Sequence, residues 1–295
     1  MSQIHLRGLT RRYGSRRGVE NITLSVPEGS LFGFLGPNGA GKTTAIRVLL
    51  GLLRPTAGSA TVFGLDCWRE SARIKAEVGY IPGDLRLYPW MNGESALSIF
   101  GRVRKRDLMP RGRELAEQLG LDLAVRVRAM SKGMRQKLGL ILAMAHNPKL
   151  LILDEPTSGL DPLMQDQLRS QLKALAAAGH TVFFSSHTLG EVEALCDRVA
   201  IVKDGRIAAD DTLDAIRARA GHDVIIRWRA GTPVPSAPPF LKLVTQSDRG
   251  WRGALSGPVA PFTDWLAGKP VEDLSIGPPD LESLFRRFYE PGGTR

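Results

Sequence analysis

The segment Gly36–Thr44, which reads GPNGAGKTT, constrains the fold of this chain more than any other feature. It satisfies the pattern G-x-x-x-x-G-K-[ST], follows an apolar strand-like run and precedes a helix-like run, which is the context that the pattern requires. Its glycines let the backbone curl so that successive N–H groups point inward, towards an anion such as phosphate. A glycine-rich turn without function would not need a strand, a loop and a helix in this order. The segment therefore predicts a phosphate-binding loop within an α/β domain.

The residue types in this loop suit a nucleoside triphosphate. We expect Lys42 to reach the β- and γ-phosphates as a point charge. Thr43 offers a hydroxyl group to Mg²⁺, which keeps most of its shell as water and phosphate oxygens. The helix that follows adds the positive end of its dipole. The predicted nucleotide-binding residues are Gly36, Pro37, Asn38, Gly39, Ala40, Gly41, Lys42, Thr43 and Thr44.

Two carboxylates end a second apolar run, LLILDEP (Leu150–Pro156). Four consecutive aliphatic residues are typical of a strand covered on both faces, and ligands of such sheets bind at the carboxyl ends of the strands. Since successive strand residues point in opposite directions, we expect Asp154 to face Mg²⁺ through water and Glu155 to approach the attacking water. An Asp-Glu pair alone is common in surface turns, but the preceding strand and the phosphate loop favour this role.

A histidine closes a third apolar run, TVFFSSH, which ends at His187. Lone histidines are usually structural, and we assign no function to the other four of the five. After a buried strand, His187 is expected to reach the γ-phosphate and to hold the attacking water in line with Glu155. Phosphoryl transfer needs this combination of positioning and charge stabilisation. Glu155 and His187 are therefore the predicted catalytic residues.

Strand-like and helix-like runs alternate over residues 1–221, as in an α/β domain with a mostly parallel central sheet. The strand-like runs are Ser30–Gly36, Lys149–Glu155, His180–His187 and Arg198–Gly205. The helix-like runs are Lys42–Leu53, Gly112–Leu119, Ser131–His146, Pro162–Ala178 and Leu189–Cys196. We therefore expect one nucleotide-binding domain over this range.

The sequence changes in character after residue 221, since residues 222–295 contain 10 of the 19 prolines. HDVIIRW (His222–Trp228) predicts a strand, and GTPVPSAPPF (231–240) predicts a turn or linker. The end of the chain predicts a helix whose apolar face is formed by Leu281, Leu284, Phe285 and Phe288. Residues 222–295 are therefore expected to form a small α+β accessory domain.

Composition narrows the class of protein. A hydrophobic content of 43% with 24% charged residues is typical of a soluble globular protein, and no apolar run approaches the ~18–20 residues of a membrane-spanning helix. Cys67 and Cys196 lie far apart, without metal-ligand spacing. The net charge of +10 suits nucleic acid or an anionic membrane face. The basic stretches Arg102–Arg106 and Arg126–Arg135 lack interleaved aromatic residues, which argues against single-strand binding.

Seven motifs follow one another in a fixed order: Tyr13, GPNGAGKTT, GYIPGD, MSKGMRQ, LLILDEP, SGLDP and SSH. Over about Leu6–Leu213 this order resembles the ATP-binding-cassette (ABC) ATPases, specifically the separate ATPase subunits of exporters. The resemblance implies a P-loop NTPase cassette over residues 1–221, with a mostly parallel core sheet and a helical subdomain at about 84–146. It also implies ATP and Mg²⁺ as cofactors.

The resemblance gives a role to a second helix start, MSKGM (Met130–Met134). In ABC ATPases two cassettes pack head to tail, and each nucleotide lies between the phosphate loop of one and the signature segment of the other. MSKGM is similar to that signature, which implies that Ser131 and the N–H groups of Lys132 and Gly133 bind the γ-phosphate in the opposite subunit, with Lys132 adding positive charge. The alternative is an ordinary serine N-cap, which is less favoured because glycine is a poor residue for a helix that needs only a cap.

Two further positions are implied by the resemblance. Tyr13 is similar to the aromatic residue that stacks on adenine, with core packing as the alternative. SGLD (Ser158–Asp161) is similar to the loop that runs along the dimer seam, which would place Asp161 at the nucleotide interface. Without the resemblance, SGLD would predict only a turn before the helix that begins at Pro162.

The sequence departs from the family pattern at two places. The glutamine that usually follows the middle strand, touches Mg²⁺ or water and senses the membrane partner should fall at Gly83, which has no side chain for this role. We expect either Asp84 to replace it or the loop to act through its backbone. The signature reads Ser-Lys-Gly-Met instead of Ser-Gly-Gly-Gln, a variant similar to the exporter branch whose membrane subunit is a separate six-helix permease.

The expected function is that of an ATP-hydrolysing subunit that dimerises on ATP and drives export. The expected partners are a second copy, packed head to tail, and an integral membrane permease of the ABC-2 type. The region Gly83–Met91, with Tyr88 and Trp90 beside Leu85 and Leu87, is the candidate permease surface, although it could equally be a loop with core anchors. The chain would then lie at the cytoplasmic face of the plasma membrane. The alternative is a non-transport ABC ATPase acting on nucleic acid or the ribosome, and nucleic acid is the less favoured partner.

Overall fold

The computed structural model describes residues 2–277, apart from the side chains of residues 218–220. The chain divides into two compact units, Met1–Asp210 and Asp211–Arg295. This division lies slightly before the boundary predicted between residues 221 and 222. The assignment of residues 222–295 as an accessory domain stays a prediction.

The strands of the described residues range from two to twelve residues in length. They are β1 (Ser2–Tyr13), β2 (Arg16–Pro27), β3 (Leu31–Leu35), β4 (Ala57–Val62), β5 (Leu65–Asp66), β6 (Val78–Ile81), β7 (Leu150–Asp154), β8 (Thr181–Ser186), β9 (Arg198–Lys203), β10 (Arg206–Thr212), β11 (His222–Trp228), β12 (Leu241–Ser247), β13 (Gly250–Leu255) and β14 (Val271–Gly277). The helices are α1 (Lys42–Leu49), α2 (Ser71–Glu77), α3 (Gly93–Arg104), α4 (Met109–Gln118), α5 (Lys132–Met144), α6 (Pro162–Ala177), α7 (Leu189–Leu195), α8 (Leu213–Ala220) and α9 (Ala260–Leu266).

A six-stranded sheet forms the centre of the first unit, in the order β10-β9-β3-β8-β7-β6. Strand β3 runs parallel to β8 and β9, and β7 runs parallel to β8 and β6. Every residue of β3, β7 and β8 is buried, as expected for strands covered on both faces. The predicted α/β architecture with a mostly parallel core sheet is confirmed.

A second, antiparallel sheet in the order β2-β1-β4-β5 was not predicted. The second half of β2 alternates buried and exposed residues, and the buried positions of β2 are Val19, Ile22, Leu24 and Val26. These side chains join one hydrophobic cluster with Phe32 and other residues of the parallel sheet. Burial of this shared cluster holds the two sheets of the first unit together.

Most predicted helices are present, with altered ends. Helix α1 ends at Leu49 instead of Leu53, because the chain turns through the left-handed region at Gly51, where φ is 61°. Helix α3 was not predicted, although Asn92 and Ser95 form a capping box at its start. Helices α3, α4 and α5 all lie between β6 and β7 in the chain. Within residues 2–277, no helix has both the length and the apolar character needed to cross a membrane.

The second unit contains an antiparallel sheet in the order β12-β13-β11-β14. Its core includes Trp228 and Trp251, whose rings meet edge to face at 4.9 Å, together with Phe262 of α9. Strand β11 spans the seven residues predicted for it, and 231–240 contains neither helix nor strand, as expected. The helix predicted around residues 281–288 lies outside the described residues.

Candidate nucleotide site

The predicted site residues follow three neighbouring parallel strands. The phosphate loop follows β3, Asp154 ends β7, and His187 follows β8. The register pairs Leu35 with Ser186 and Asp154 with Ser185, so the three strand ends lie side by side. The carboxyl edge of a parallel sheet is where ligands of α/β proteins bind.

Close backbone contacts fix the shape of the phosphate loop. The Gly36 N–H donates to the carbonyl of Ser186 at 3.1 Å. A Cβ atom on Gly36 would lie 2.5 Å from the carbonyl oxygen of Val202. Gly41 has a φ of 103°, and a Cβ atom there would lie 2.5 Å from the carbonyl oxygen of Gly18. Only glycine fits these two positions, which supports the predicted wrapping of the backbone around an anion.

Lys42 extends its ammonium group beneath this loop. Its Nζ donates to the carbonyls of Gly36, at 2.6 Å, and Pro37, at 3.2 Å. It also lies 3.2 Å from Oε1 of Glu155. The lysine side chain is buried, and a buried charge is costly unless it is paired and hydrogen-bonded. The contacts therefore hold a fixed positive charge between the phosphate loop and the predicted catalytic carboxylate.

Asp154 lies at the centre of a short hydrogen-bond chain and is only 2% exposed. Its Oδ2 accepts a hydrogen bond from Oγ1 of Thr43 at 2.8 Å, and its Oδ1 accepts one from Oγ of Ser185 at 2.6 Å. Bonds of this kind to a carboxylate are stronger than those between neutral groups and fix its orientation. The two predicted metal residues, Thr43 and Asp154, are thus in direct contact.

The oxygen donors of this pair fit a magnesium ion that binds together with a nucleotide. Across residues 2–277 no group of three or more His, Cys, Asp or Glu side chains could hold a metal by itself. Mg²⁺ commonly uses one or two protein oxygens and completes its octahedral shell with water and substrate phosphates. The hydroxyl group of Thr43 would bind it directly, and the carboxylate of Asp154, which accepts from that hydroxyl group, would hold it through water.

Glu155 has a strained backbone, and its carboxylate contacts two side chains. Its φ is 50°, in the left-handed region, and its N–H donates to both the carbonyl, at 3.1 Å, and the Oγ, at 3.2 Å, of Ser185. Its Oε2 lies 3.3 Å from Nδ1 of His187, which is half-exposed, while Oε1 faces Lys42. Strained backbone persists where surrounding contacts over-determine it, and it is frequent at functional sites. The structure therefore brings the two predicted catalytic residues into contact.

Ser185 and Ser186 were missed by the sequence analysis. Ser185 contacts both Asp154 and Glu155, as described above, whereas the Ser186 hydroxyl group contacts Oε2 of Glu191 at 2.5 Å and accepts from the N–H of Thr188 at 2.9 Å. Both serines are fully buried at the end of an otherwise apolar strand. Two hydroxyl groups in such a strand, immediately before a candidate catalytic histidine, were the available signal.

Tyr13 lies beside the phosphate loop and is 41% exposed. Its hydroxyl group is 3.4 Å from Oγ1 of Thr44, and the guanidinium carbon of Arg11 lies 5.1 Å from the centre of its ring. The alternative role in core packing is therefore wrong. An accessible ring at this position can stack on a base, although the contact with adenine itself stays a prediction.

The signature-like segment begins α5. Ser131 is the N-cap of this helix, and its Oγ accepts from the N–H of Met134 at 3.2 Å. The ordinary capping role considered above is therefore present, and a nucleotide contact by Ser131, Lys132 or Gly133 stays a prediction. Asp161 likewise caps α6, accepting from the N–H of Met164 at 3.0 Å.

No hydrogen bond or ion pair between described residues joins Ser131–Gly133 to the phosphate loop Gly36–Thr44. The buried Gln136, which the sequence analysis did not single out, instead donates to the carbonyl of Pro156 at 2.9 Å. Helix α5 is thus attached to the chain that follows Glu155. The two predicted phosphate-binding helix starts do not form one site within the described chain.

Gly83 lies directly against Asp154. A Cβ atom at this position would be 3.3 Å from the carbonyl oxygen of Asp154 and 3.9 Å from its Oδ2, so a side chain here would point towards the predicted metal site. The carboxylate of Asp84 is exposed and paired with Arg86, with Oδ2 2.7 Å from Nη2. Asp84 therefore does not replace the missing glutamine in this conformation.

Known proteins with similar sequences are ATP-binding proteins. The family model described as ABC transporter matches residues 19–158. YdbJ, an uncharacterized ABC transporter ATP-binding protein of Bacillus subtilis (strain 168), is 42% identical over 213 residues, which cover 71% of this chain and 69% of YdbJ. The daunorubicin resistance ATP-binding protein DrrA3 of Streptomyces coeruleorubidus is 34% identical, covering 94% of this chain and 93% of its own. The bacitracin transport ATP-binding protein BcrA of Bacillus licheniformis is 37% identical and covers 72% and 70%.

Solved structures share the fold. The ATP-binding subunit of an ABC transporter superimposes with a TM-score of 0.69 at 30% identity, over 74% of this chain and 92% of that subunit. The bacterial ABC transporter cassette MJ0796, solved as a dimer, gives 0.64 at 22% identity, over 71% and 98%. The parallel sheet, the phosphate loop and the carboxylates at its edge agree with these likenesses. This chain belongs to the ABC transporter family, as an ATP-binding ATPase cassette.

Proposed function

We propose that this chain is the ATP-hydrolysing subunit of an ABC exporter and powers efflux through a separate membrane permease. Two copies would bind ATP between them, head to tail, and separate after hydrolysis. The observation that carries this proposal is the contact of Glu155 with both Lys42 and His187, beside the Thr43–Asp154 pair. A base, a fixed positive charge and a metal-binding pair at one strand edge are what phosphoryl transfer to water requires.

In this proposal Glu155 orients and activates the attacking water, and His187 holds the γ-phosphate and the Glu155 carboxylate in line. Lys42 neutralises charge on the β- and γ-phosphates, which the loop Gly36–Thr44 surrounds with N–H groups. Thr43, directly, and Asp154, through water, would hold Mg²⁺, which would neutralise charge at the phosphates. Tyr13 contributes the face on which adenine stacks. The chain itself therefore supplies positioning and electrostatics, the main needs of this reaction.

The proposed dimer follows from the separation of the two helix starts. Because Ser131–Gly133 has no hydrogen bond or ion pair to Gly36–Thr44 among the described residues, it cannot complete the site of its own subunit in this conformation. Its free N–H groups and helix dipole would instead face the γ-phosphate held by a second copy. Asp161, at the start of α6, would lie along the same seam. ATP then favours the closed dimer only to the extent that it binds the closed dimer more tightly than the open state.

The surface proposed for the permease lies around a groove of about 350 Å³. The groove is lined by apolar residues of β6, α3 and α5 and by Leu85 and Leu87. Tyr88 and Trp90 lie on the following segment, 67% and 63% exposed, with ring centroids 5.9 Å apart. The segment also has anchors in the core, since Met91 is buried and Leu85 and Leu87 are half-buried, so both descriptions of this loop stay open. Exposed, adjacent aromatic residues beside an apolar groove mark interaction surfaces.

The basic residues of the groove and the names of the relatives both support a partner at the membrane. Lys75, Arg86 and Arg104 line the same groove, and basic residues near a membrane favour its anionic face. We therefore place the protein at the cytoplasmic face of the plasma membrane, bound to an integral permease of the ABC-2 type. Among the relatives described above, one is named for daunorubicin resistance and one for bacitracin transport. These names support export, while the transported molecule would be selected by the permease.

Two variants test the proposed site. Lys42→Ala should weaken ATP binding by at least about 10-fold, because it removes the buried charge next to the phosphates. Glu155→Gln should retain ATP binding but slow turnover about 100-fold or more, the typical contribution of a positioned base, and should accumulate an ATP-bound dimer. Equilibrium nucleotide binding, phosphate release and sedimentation measure the three effects. Normal turnover by Glu155→Gln would remove Glu155 from the mechanism.

A mixing experiment tests the shared site. Lys42→Ala and Ser131→Ala should each be inactive or nearly so, since each spoils both sites of its own homodimer. In a mixed dimer one site combines an intact phosphate loop with an intact signature segment, so mixing the two should restore part of the activity. Two results together would refute a shared site. The two variants would remain inactive when mixed at every ratio, and the unmixed parent protein would hydrolyse ATP equally fast per chain at all dilutions.

A further inference from the structure

We propose that Lys132 is a positioning residue that acts within its own subunit and links the signature segment to Glu155. The inference rests on the proposed function, since it assumes that Ser131–Gly133 meets the nucleotide of a second copy. By resemblance alone, Lys132 would place its charge on that nucleotide in the other subunit. The contacts of its side chain point instead to the loop that follows Glu155 in the same chain.

The Lys132 side chain lies along the turn Ser158–Gly159. Its Nζ donates to Oγ of Ser158 at 3.2 Å. Gly159 has a φ of 84°, and a Cβ atom there would lie 2.6 Å from Cδ and 2.8 Å from Cε of Lys132. The aliphatic part of the lysine thus occupies the space that the missing side chain of Gly159 leaves open. The fit involves the stem as well as the charged end.

A second hydrogen bond attaches the same helix to the same turn. One helical turn after Lys132, the buried Gln136 donates to the carbonyl of Pro156 at 2.9 Å. Residues 132 and 136 therefore hold residues 156–159 at two points. The start of α5 and this turn are expected to move together.

The turn is in direct contact with the predicted catalytic residue. The N–H of Ser158 donates to the carbonyl of Glu155 at 3.3 Å, and the N–H of Leu160 donates to the carbonyl of Thr157 at 3.0 Å. Glu155 itself has a strained φ of 50° and depends on its neighbours for its orientation. A shift of Ser131–Gly133 on meeting the partner's nucleotide would thus be passed through Lys132 and Ser158 to Glu155. This link would allow each site of the dimer to respond to the other.

Mixed dimers separate action within the subunit from action on the partner. With a large excess of Lys42→Ala, nearly all Lys132→Met chains enter mixed dimers, and each mixed dimer has one working site. That site contains the Glu155 of the Lys132→Met chain and the signature segment of the Lys42→Ala chain. Action within the subunit predicts turnover about 3- to 10-fold below that of the matched control, Lys173→Met, an exposed lysine on α6. Action on the partner's nucleotide predicts no difference.

The reciprocal mixture reverses these expectations. In the reciprocal mixture, Lys132→Met is introduced into the Lys42→Ala chain. The chain that supplies Glu155 to the working site then keeps its Lys132. Lys132 is missing only from the other chain, which supplies the signature segment. Action within the subunit then predicts turnover equal to that of the Lys42→Ala mixture with Lys173→Met. A loss in this arrangement alone, or no loss in either arrangement, would overturn the proposal.

A double-mutant cycle tests the link in the ordinary homodimer. Lys132→Met and Ser158→Ala should each lower kcat about 3- to 10-fold with the KM for ATP nearly unchanged, and the double variant should be no slower than the slower single variant. Lys132→Arg, which keeps the charge and a long stem, should recover most of the activity. Additive losses, or a rise in KM without loss of kcat, would overturn the proposal. Failure of Ser131→Ala to be rescued by Lys42→Ala would count against the shared site itself, separately from Lys132.

Discussion

Removing the hydroxyl group of Ser185 tests the arrangement of the two carboxylates directly. In Ser185→Ala the Oδ1 of Asp154 loses the hydrogen bond that it accepts at 2.6 Å. The N–H of Glu155 loses one of its two acceptors, since it still donates to the carbonyl of Ser185 at 3.1 Å. Asp154 is 2% exposed, so water cannot readily replace the lost donor. We therefore expect effects on both stability and metal binding.

The size of the stability effect follows from these contacts. A hydrogen bond to a charged group contributes about 1.5–3 kcal/mol, and leaving a buried acceptor unpaired is costly. The shared N–H of Glu155 adds less than about 1 kcal/mol because its second acceptor remains. The free energy of unfolding of the first unit should fall by about 2–4 kcal/mol. Because Ser185 also orients Asp154, the Mg²⁺ concentration that gives half-maximal ATPase activity should rise about 10-fold, as for other groups that orient a metal ligand.

Urea unfolding followed by circular dichroism, and a Mg²⁺ titration of ATPase activity, measure the two effects. Thr181→Val is the matched control, since Thr181 is a buried hydroxyl residue at the other end of β8 and accepts from the N–H of Gly29 at 2.9 Å. It should lose about 1–3 kcal/mol of stability, because that N–H becomes unpaired, with no change in the Mg²⁺ requirement. A Ser185→Ala protein as stable as the parent, or with the parent's Mg²⁺ requirement, would refute the reasoning.

Three further predictions concern the first unit. Gly41→Ala should weaken ATP binding at least about 10-fold in equilibrium titrations, because its Cβ atom would lie 2.5 Å from the carbonyl oxygen of Gly18 and its φ is 103°. Burial lowers the pKa of His146 from 6.5 to about 4, so the unfolded chain binds a proton that the folded chain does not. Urea unfolding should therefore give a stability that falls by about 3 kcal/mol as the pH falls from 7 to 4, a dependence that His146→Phe should reduce. Burial raises the pKa of Cys67 to about 12 and also raises that of Cys196; neither thiol should react with a disulfide reagent within minutes unless the protein is unfolded.

The parallel sheet could be predicted because its strands are apolar on consecutive positions. Runs such as Leu150–Asp154 and Thr181–Ser186 are buried on both faces, so their sequences differ clearly from helices with one apolar side. The phosphate loop was predictable for another reason, because its glycines adopt a local backbone conformation that other residue types do not fit. Both signals are short-range, and both lie within a few residues of the feature that they predict.

Features that depend on distant pairing were missed. The antiparallel sheet has the weaker alternating pattern, and the pairing of β1 with β4 brings together distant residues such as Ile4 and Val62, which are 58 positions apart. The roles of Ser185 and Lys132 depend on which groups the fold places beside them, and nothing in their immediate sequence shows this. The sequence therefore proposed residues for contact with nucleotide, but it did not identify the side chains that hold those residues in place.

Gly83 shows how the groove and the metal-binding pair can be connected without a side chain. Its backbone lies against Asp154, and Pro82 and Leu85, on either side of it, line the groove proposed for the permease. Tyr80, two residues before Pro82, also lines that groove, and burial, with the charge of Asp154, raises its pKa to about 12, so its phenol stays protonated. A permease segment that enters the groove would therefore press on the chain that touches Asp154. Coupling through this stretch would use the backbone instead of a glutamine side chain, since even a Cβ atom on Gly83 would lie 3.3 Å from the carbonyl oxygen of Asp154.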